Sequence, residues 1–395
     1  MMTSTPKQLH LQHQILDTIY TRGPISRIDI AHTTGITPAT VSNITAQMLD
    51  TKLIKETGEL SPDRQVGRKK VLLQIQSGRR YFVGCELGAN AFYFVLADQS
   101  GQVVARFKHD FPSLFDPNEC TPAVFIEALR TFLNQHADLP VEGIGISIPG
   151  HYIADKQRIA SDYPHWIAFD LAPINQAFDL PIVYENNAHS MALTERLLAP
   201  NQHDDNFIFL HVARGIFCSV IYHQGLYGRK NPLVGEIAHA MVNPEGEICD
   251  CGRHGCLQTY ASEISIIKKA RLLYRTAAQT YLRQLASRES DVTLDTVMQA
   301  YELGDDGILA ILDTAIKYIA AELNNLTLTI DAPRLILHGR LFDRPALFER
   351  LQRYLHDNQF EFTSVTPKRL YVKPFTQYDS AMGGVGLAIS SFLLH

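Results

Sequence analysis

The sequence has no apolar run of the roughly 18–20 residues that a membrane-spanning helix needs, so we expect no membrane insertion. Its first residues, MMTSTPKQLHLQHQ, lack the apolar core of a signal peptide. The sequence also has no internal repeat in the solenoid range and no low-complexity tract. Its cysteines number only six, and in a reducing compartment they favour metal binding over disulfides. We therefore expect a globular, cytoplasmic protein.

The composition is ordinary, but the charge is unevenly distributed. A chain of 395 residues with 46% apolar and 19% charged residues predicts two or three globular domains. Residues 1–80 hold eleven Lys and Arg against six Asp and Glu, a balance of +5. The remaining residues hold 25 and 35, a balance of −10. A basic segment on an acidic body indicates a polyanionic partner for that segment alone.

The stretch from 235 to 258, GEIAHAMVNPEGEICDCGRHGCLQ, has the composition of a metal site. Three cysteines and one histidine match a closed, tetrahedral zinc site, formed by His239, Cys249, Cys251 and Cys256. The alternative is a group of reduced, unliganded thiols beside a buried histidine. Four protein ligands leave no open coordination position, so we expect the zinc to be structural. The cysteines outside this stretch, Cys85, Cys120 and Cys218, have apolar neighbours and are expected in the core.

The N-terminal segment has the pattern of a helix-turn-helix. Leu9, Leu11, Ile15, Leu16 and Ile19 fit one face of a helix over 8–21. Ser26 followed by Asp29 predicts the start of a second helix, and Gly35 its end. Thr37-Pro38 predicts a third helix with Val41, Ile44 and Met48 facing inward.

The outward face of the third helix is polar and small. Amide side chains make bidentate contacts to adenine, and small residues fit base edges in the major groove. The candidate DNA-binding residues on this helix are Thr37, Ala39, Thr40, Ser42, Asn43 and Gln47. The alternative is a three-helix bundle that binds protein.

A basic hairpin follows the third helix. LIKETGEL and VLLQIQ predict two strands, and the turn between them carries Arg64, Arg68, Lys69 and Lys70. A basic tip beside a recognition helix is typical of the wing of a winged helix and can enter a narrow minor groove. The alternative is a solvated interdomain linker.

The rest of the chain alternates strands and helices in two similar halves, which predicts a two-lobed α/β body. Long helices are expected around 262–286 and 306–329, and further helices over 120–136, 187–199, 344–357 and 379–394.

His239, nine residues and then Cys-x-Cys-Gly-x-x-Gly-Cys resembles the zinc signature of the ROK family, which contains bacterial sugar kinases and sugar-responsive transcriptional repressors. Gly67-Arg68 resembles a pair found in the ROK repressors, whereas ROK kinases generally lack the N-terminal segment. The resemblance implies a winged helix-turn-helix followed by a two-lobed, actin-like body of the ROK and hexokinase type with a structural zinc loop. The expected domains are 1–80 for DNA binding, 81–200 completed by 379–395 for the first lobe, and 201–378 for the second lobe with the zinc loop and dimerisation surface.

The elements that bind ATP in ROK kinases are altered here. The family's Asp-x-Gly-Gly-Thr loop corresponds to Glu86, Gly88, Ala89 and Asn90. Its second, glycine-rich phosphate loop corresponds to residues 213–219, where one glycine remains and Phe217 is expected to take phosphate space. Its Gly-Gly-Gly on the adenosine side has become residues 338–340, His-Gly-Arg. Together these changes argue against ATP binding in the kinase manner.

The residues of the family's sugar pocket are better retained than those of its ATP-binding elements. The family's Glu-Asn-Asp carries the catalytic base, but this chain has Asn187 there, and an amide cannot act as a general base. The resemblance implies a sugar site made of Asn186, Asn187, Glu236, His239 and Gln258, with Pro149-Gly150 lining it. For Asn186 and Asn187 the alternative is a helix N-cap, which is compatible with ligand contact.

The helix-turn-helix pattern predicts a DNA-binding protein, and the ROK resemblance implies a transcriptional regulator, a repressor of carbohydrate-metabolism genes, with no catalytic residues. It is expected to bind double-stranded operator DNA as a homodimer or dimer of dimers, and to respond to a sugar or sugar phosphate. One alternative is a ROK repressor controlled by a protein partner, and another is an active ATP-dependent sugar kinase.

Overall fold

The computed structural model of the protein describes residues 5–57, 70–199, 204–358 and 368–394. The chain divides into two compact units. The first unit comprises Met1–His203 together with Gln377–His395, and the second comprises Asp204–Thr376. Among the described helices, none is both long and apolar enough to span a membrane.

The first unit begins with a winged helix-turn-helix, which confirms this part of the predicted fold. Its three-stranded antiparallel sheet has the order β1-β3-β2. Its elements are α1 (Pro6–Arg22), β1 (Ile25–Ser26), α2 (Arg27–Thr34), α3 (Pro38–Asp50), β2 (Ile54–Thr57) and β3 (Leu72–Ile75).

Local sequence signals determine where these helices begin and end. The Ser26 hydroxyl accepts a hydrogen bond from the Asp29 amide, and Thr37 caps α3 ahead of Pro38, as the sequence predicted. Gly35 ends α2 with φ of 71°, a conformation that glycine adopts without steric cost. The helix predicted over 8–21 is α1, although on its apolar face Leu9 is 43% exposed and burial begins at Ile15. The first turns of α1 thus lie outside the core.

The body of the first unit is a five-stranded sheet with helices. The strand order is β10-β7-β4-β5-β6, in which β10, β7 and β4 run parallel. Its strands are β4 (Tyr81–Leu87), β5 (Ala91–Asp98), β6 (Val103–Asp110), β7 (Val141–Ile148) and β10 (Ile182–Asn186), with a separate pair β8 (His151–Ile153) and β9 (Arg158–Ala160). Its helices are α4 (Pro122–Asn134), α5 (Pro164–Ala168), α6 (Ala172–Ala177), α7 (Asn187–Leu198) and, after the second unit, α14 (Asp379–Leu393).

Helix α14 is buried against β4, β7 and α7, so the end of the first unit's sequence completes its core. The approach is close enough to require glycine on the sheet. A β-carbon on Gly145 would lie 2.0 Å from the carbonyl oxygen of Gly384. Backbone therefore meets backbone at this point, with no side chain between them.

Replacing Gly145 with Ala is expected to destabilise the protein by about 1–3 kcal/mol, because neither backbone can turn aside as a side chain would. The measurement is urea unfolding followed by far-UV circular dichroism. Gly215→Ala is the matched control, since an added β-carbon at Gly215 meets no heavy atom within 4 Å. Equal unfolding midpoints for the two variants would contradict the close packing.

The second unit is also built on a five-stranded sheet, of order β13-β12-β11-β14-β15. Strands β11, β14 and β15 are parallel, and their helices form one apolar core with them. The strands are β11 (Phe207–Val212), β12 (Ile216–Tyr222), β13 (Gly225–Leu226), β14 (Arg334–His338) and β15 (Arg369–Lys373). The helices are α8 (Gln258–Ala261), α9 (Glu263–Thr276), α10 (Leu282–Leu285), α11 (Leu294–Glu302), α12 (Asp306–Thr329) and α13 (Pro345–Asp357).

The single long helix expected over 262–286 is wrong. Helix α9 ends at Thr276, and α10 is a separate short helix. The Asp305 carboxylate accepts hydrogen bonds from the Thr280 hydroxyl and the Tyr281 amide, at 2.6 and 2.8 Å. Asp305 is the N-cap of α12, and its contact holds the chain between α9 and α10 in a turn. Helical periodicity does not reveal such a contact.

Candidate functional site

The four predicted metal ligands lie together in the second unit. One ligand atom from each of His239, Cys249, Cys251 and Cys256 lies within 4.8 Å of the others. The Cys251 and Cys256 sulfurs are 3.7 Å apart, and Cys249 Sγ is 3.7 Å from His239 Nδ1. Zn–S bonds of about 2.3 Å at a tetrahedral angle separate two sulfurs by about 3.8 Å, so the cluster has the size of a zinc site.

A short, tightly turned loop brings the four side chains together. His239 ends a 3₁₀ helix, Ile237–His239, and Cys256 lies two residues before α8. The Cys249 amide donates to the Arg253 carbonyl at 2.8 Å, which turns the chain back on itself. Gly255 has φ of 63°, and a β-carbon there would lie 1.5 Å from the Asn243 carbonyl oxygen. Glycine at this position is therefore required twice, for its conformation and for the close approach.

The thiols of the cluster differ in their acidity. Burial raises the pKa of Cys256 to about 12. Burial also opposes ionisation of Cys251, but hydrogen bonds from Arg253, Cys249 and Cys256 outweigh it and lower its pKa to about 6. The cluster thus offers one ready thiolate, and a bound cation would favour the thiolate form of the others.

Two of the predicted sugar-contact residues flank the metal cluster in sequence. Gln258 opens α8, and Glu236 precedes the 3₁₀ helix that carries His239; both are partly exposed. His239 presents Nδ1 towards Cys249, which turns Nε2 to the opposite side of the ring. The second unit therefore holds Glu236, His239 and Gln258 around one loop.

The other two predicted sugar-contact residues lie in the first unit, where β10 meets α7. Asn186 is 4% exposed and caps α7: its Oδ1 accepts from the amides of Ala188 and His189 at 2.9 and 3.3 Å. Its Nδ2 donates to the Gly150 carbonyl at 3.2 Å, which ties it to the Pro149-Gly150 loop. Asn187 is partly exposed and is the first residue of α7. The helix-cap role considered for this pair is observed for Asn186, and ligand contact stays a prediction.

The altered kinase elements lie at strand ends. Burial raises the pKa of Glu86 to about 8, so this carboxyl group is largely protonated at neutral pH and is a poor cation ligand. The second phosphate loop is reduced to residues 213–215, because Ile216 already begins β12. Phe217 is buried within that strand, beside Gly235.

The predicted recognition helix presents its polar face outward. Val41, Ile44 and Met48 are buried, as predicted. The residues on the predicted DNA-facing side are exposed, with Thr40 partly so: Thr37, Ala39, Thr40, Ser42, Asn43 and Gln47. Ala46 shares this exposed face and was missed, since alanine carries no polar signal. Arg64, Arg68 and Lys69 lie outside the described residues.

Two ion pairs within the winged helix were also missed. Lys70 Nζ lies 3.1 Å from an Asp29 oxygen, and Arg27 bonds both the Thr45 hydroxyl and the Glu56 carboxylate. The hydrogen bond from Ser26, followed by the charge and hydrogen bond of Lys70, lowers the pKa of Asp29. These pairs connect residues far apart in sequence, which local patterns do not reveal.

A family model described as ROK family matches residues 82–391. The Xylose repressor of Bacillus subtilis (strain 168) is 26% identical, with 84% of this chain and 82% of the repressor covered. The DNA-binding transcriptional dual regulator NagC of Escherichia coli (strain K12) is 27% identical, over 76% of this chain and 72% of that protein.

Solved structures share the fold. A ROK family transcriptional regulator, homolog of the E. coli MLC protein, aligns with a TM-score of 0.78 and 22% identity, covering 98% of this chain and 97% of that one. A ROK family glucokinase from Streptomyces griseus, in complex with glucose and AMPPNP, aligns with a TM-score of 0.66 and 20% identity, covering 78% of this chain and 99% of that one.

Proposed function

The chain belongs to the ROK family, and we propose that it is a DNA-binding transcriptional regulator, a repressor of carbohydrate-metabolism genes that acts in the cytoplasm. The observation that carries this proposal is the winged helix-turn-helix before the ROK region, with the polar face of α3 exposed. An exposed polar helix face of this kind has no role in sugar phosphorylation. It has the shape and chemistry to enter a DNA major groove. The names of the repressor relatives agree with this proposal.

Operator DNA is the proposed macromolecular partner. Asn43 and Gln47 are the proposed contacts to base edges, and Arg64, Arg68 and Lys69 are the proposed contacts to the minor groove. The protein acts as a homodimer or dimer of dimers, so that two winged helices meet a two-fold symmetric operator. We assign residues 1–80 to DNA binding, 81–200 with 379–395 to the first lobe, and 201–378 to the second lobe with the dimerisation surface.

We assign zinc to the Cys3His cluster, as a structural ion. The separation of the sulfurs and the soft donor set support this metal, and four protein ligands leave it no open position. The ion would fix the orientation of His239 and so the position of its Nε2. Zinc in this role braces the sugar-contact loop and takes no part in a reaction.

The effector is a sugar or sugar phosphate. Asn186, Asn187, Glu236, His239 and Gln258 are the proposed contact residues; their amide, carboxylate and imidazole groups suit hydroxyl recognition. Such a ligand releases DNA only if it binds one arrangement of the protein more tightly than another. Control by a protein partner is the second candidate. It is favoured by Gln258, since the ROK resemblance implies a Glu at this position in sugar-binding members and the site here lacks that charge.

An ATP-dependent sugar kinase is disfavoured by the altered phosphate loops, and one substitution tests this. Asn187→Asp restores the family's general base but leaves Glu86 and the shortened 213–215 loop unchanged. We therefore expect no phosphorylation by the wild type or the variant in a coupled ADP-release assay with glucose, xylose and N-acetylglucosamine. Turnover by the variant alone would mean that Asn187 by itself prevents catalysis. Turnover by both proteins would show that the protein is a kinase.

The proposed function is tested by selection of genomic fragments with purified, zinc-loaded protein, followed by sequencing. Competition at about 150 mM salt removes non-specific phosphate binding, which weakens steeply as salt rises. Recovery of a few palindromic sites beside carbohydrate genes is the expected result. Recovery of sequence-independent, salt-sensitive binding alone would contradict the regulator assignment.

A further inference from the structure

We propose that helix α7 couples the Pro149-Gly150 loop of the first unit, called the ligand loop below, to the winged helix, and that the Asp17–Arg196 ion pair is the contact through which it acts. This inference rests on the proposed function, because it names the route by which effector and DNA influence each other. Helix α7 begins at Asn187, a proposed sugar contact, and ends at Leu198 beside α1. At about 1.5 Å per residue its twelve residues span about 18 Å.

The N-terminal end of α7 is fastened to the ligand loop. The Asn186 side chain bonds the first amides of the helix and the Gly150 carbonyl at once. The Ser190 hydroxyl donates to the Asn186 carbonyl at 3.0 Å, and the buried His189 has its Nδ1 3.3 Å from an oxygen of the partly buried Glu185. A shift of the Pro149-Gly150 loop must therefore move the helix.

The C-terminal end of α7 is fastened to the winged helix. The Arg196 guanidinium makes two parallel bonds to the Asp17 carboxylate, of 2.8 and 2.6 Å. The arginine side chain is 10% exposed and the aspartate 22%, so water screens the pair weakly. Leu197 is buried in the same apolar cluster as Ile15 and Ile19 of α1. Orientation and packing of α1 thus depend on the end of α7.

A second contact fixes the winged helix to the same unit. The Tyr20 hydroxyl donates to the carbonyl of the buried Gln99 at 2.6 Å, and Gln99 Nε2 donates to the Leu53 carbonyl at 3.0 Å. The winged helix is therefore held at two points, one on α7 and one on the turn after β5. A shift at only one of these points rotates the winged helix about the other.

Between its ends α7 has little room to deform. It packs on α14 through glycines: a β-carbon on Gly386 would lie 2.1 Å from Thr194 Oγ1. The Thr194 hydroxyl also lies 3.3 Å from the Gly383 carbonyl. Because packed helices shift as rigid bodies more readily than they bend, a displacement at Asn187 reaches Arg196.

A double-mutant cycle read by amide hydrogen exchange tests this route without any ligand. Asn186→Asp keeps the capping oxygens but removes the donor to Gly150. We expect it to speed exchange in the α1 peptide around Asp17–Tyr20 by about fivefold or more, the lower range of typical coupling. The Arg196→Lys background keeps the charge but loses the two parallel hydrogen bonds to Asp17. In that background, Asn186→Asp should cause no further increase in α1 exchange.

The control is Glu142→Gln, which breaks the half-exposed Arg80–Glu142 pair in the same unit. It should leave the effect of Asn186→Asp on α1 unchanged. Exchange that rises only within α7, or that rises equally in both Arg196 backgrounds, would overturn the proposal. Should Asn186→Asp fail to fold, Asn187→Ala replaces it in the cycle, because the capping side chain then stays intact.

DNA binding supplies the second arm, with D-xylose and N-acetyl-D-glucosamine as probes and a recovered operator duplex. Arg196→Lys should keep operator and sugar affinities within about twofold, and lose at least about fivefold of the sugar's effect on operator affinity. A sugar response equal to that of the wild type would overturn the proposal. Absence of operator binding by the wild type would instead refute the proposed function, and the exchange cycle would still decide the role of α7.

Discussion

Replacing Cys249 with Ser or His239 with Ala is expected to reduce bound zinc from one equivalent per chain to a small fraction, and to lower the Tm of the second unit by about 10 °C or more. Metal binding at structural zinc sites contributes on the order of 10 kcal/mol in isolated zinc peptides, and each kcal/mol lost is worth about 2–4 °C for a domain of this size. Cys249 is buried, so the empty loop cannot gain compensating hydration. Sugar binding should fail as well, because His239 and Gln258 lose their support.

The measurement is elemental analysis of the dialysed protein, with differential scanning calorimetry on the same samples. His254→Ala is the matched control: His254 lies in the same loop and is exposed, and it is not among the clustered ligands. This variant should retain its zinc and its Tm. Full zinc occupancy in Cys249→Ser would refute the assignment of the site, and loss of zinc without loss of stability would refute its structural role.

Replacing Asn43 or Gln47 with Ala is expected to weaken operator binding by about 10- to 100-fold, since a bidentate contact to a base is worth about 1–3 kcal/mol. Both side chains are exposed on α3 and bury no core surface, so the fold should be unaffected. Binding to an unrelated duplex, which depends on phosphate contacts, should change by less than about twofold.

Fluorescence anisotropy with a labelled operator at about 150 mM salt measures both affinities. Gln14→Ala is the matched control, because it removes the same exposed side chain from α1. An equal loss on operator and unrelated DNA would mean that α3 does not read sequence. No loss on either would place the DNA-binding surface elsewhere.

The sequence was most informative where the signal is local. Helix boundaries followed from caps such as Ser26 and Thr37, because a capping hydrogen bond joins residues two or three positions apart. The metal cluster followed from a spacing that only a few ligand geometries satisfy.

Contacts between distant residues were beyond such reasoning. Asp17 and Arg196 are 179 positions apart, and neither carries a signal of its partner. The same limit explains the broken helix after Thr276, where Asp305 determines the turn. The exposure of Leu9 was likewise not predictable, because periodicity gives the direction of a side chain but not whether another element covers it.

The place of α14 has a consequence for synthesis on the ribosome. The first unit is formed by two segments that precede and follow the second unit in sequence. Its sheet and α7 can therefore be covered by α14 only after about 180 further residues have been translated. Until then the surfaces around Gly145 and Thr194 have nothing to pack against. A nascent or prematurely terminated chain ending before Asp379 would carry a winged helix on an unfinished support. Such fragments would be substrates for chaperones and proteases, and would not compete with the finished protein for its binding sites on the chromosome.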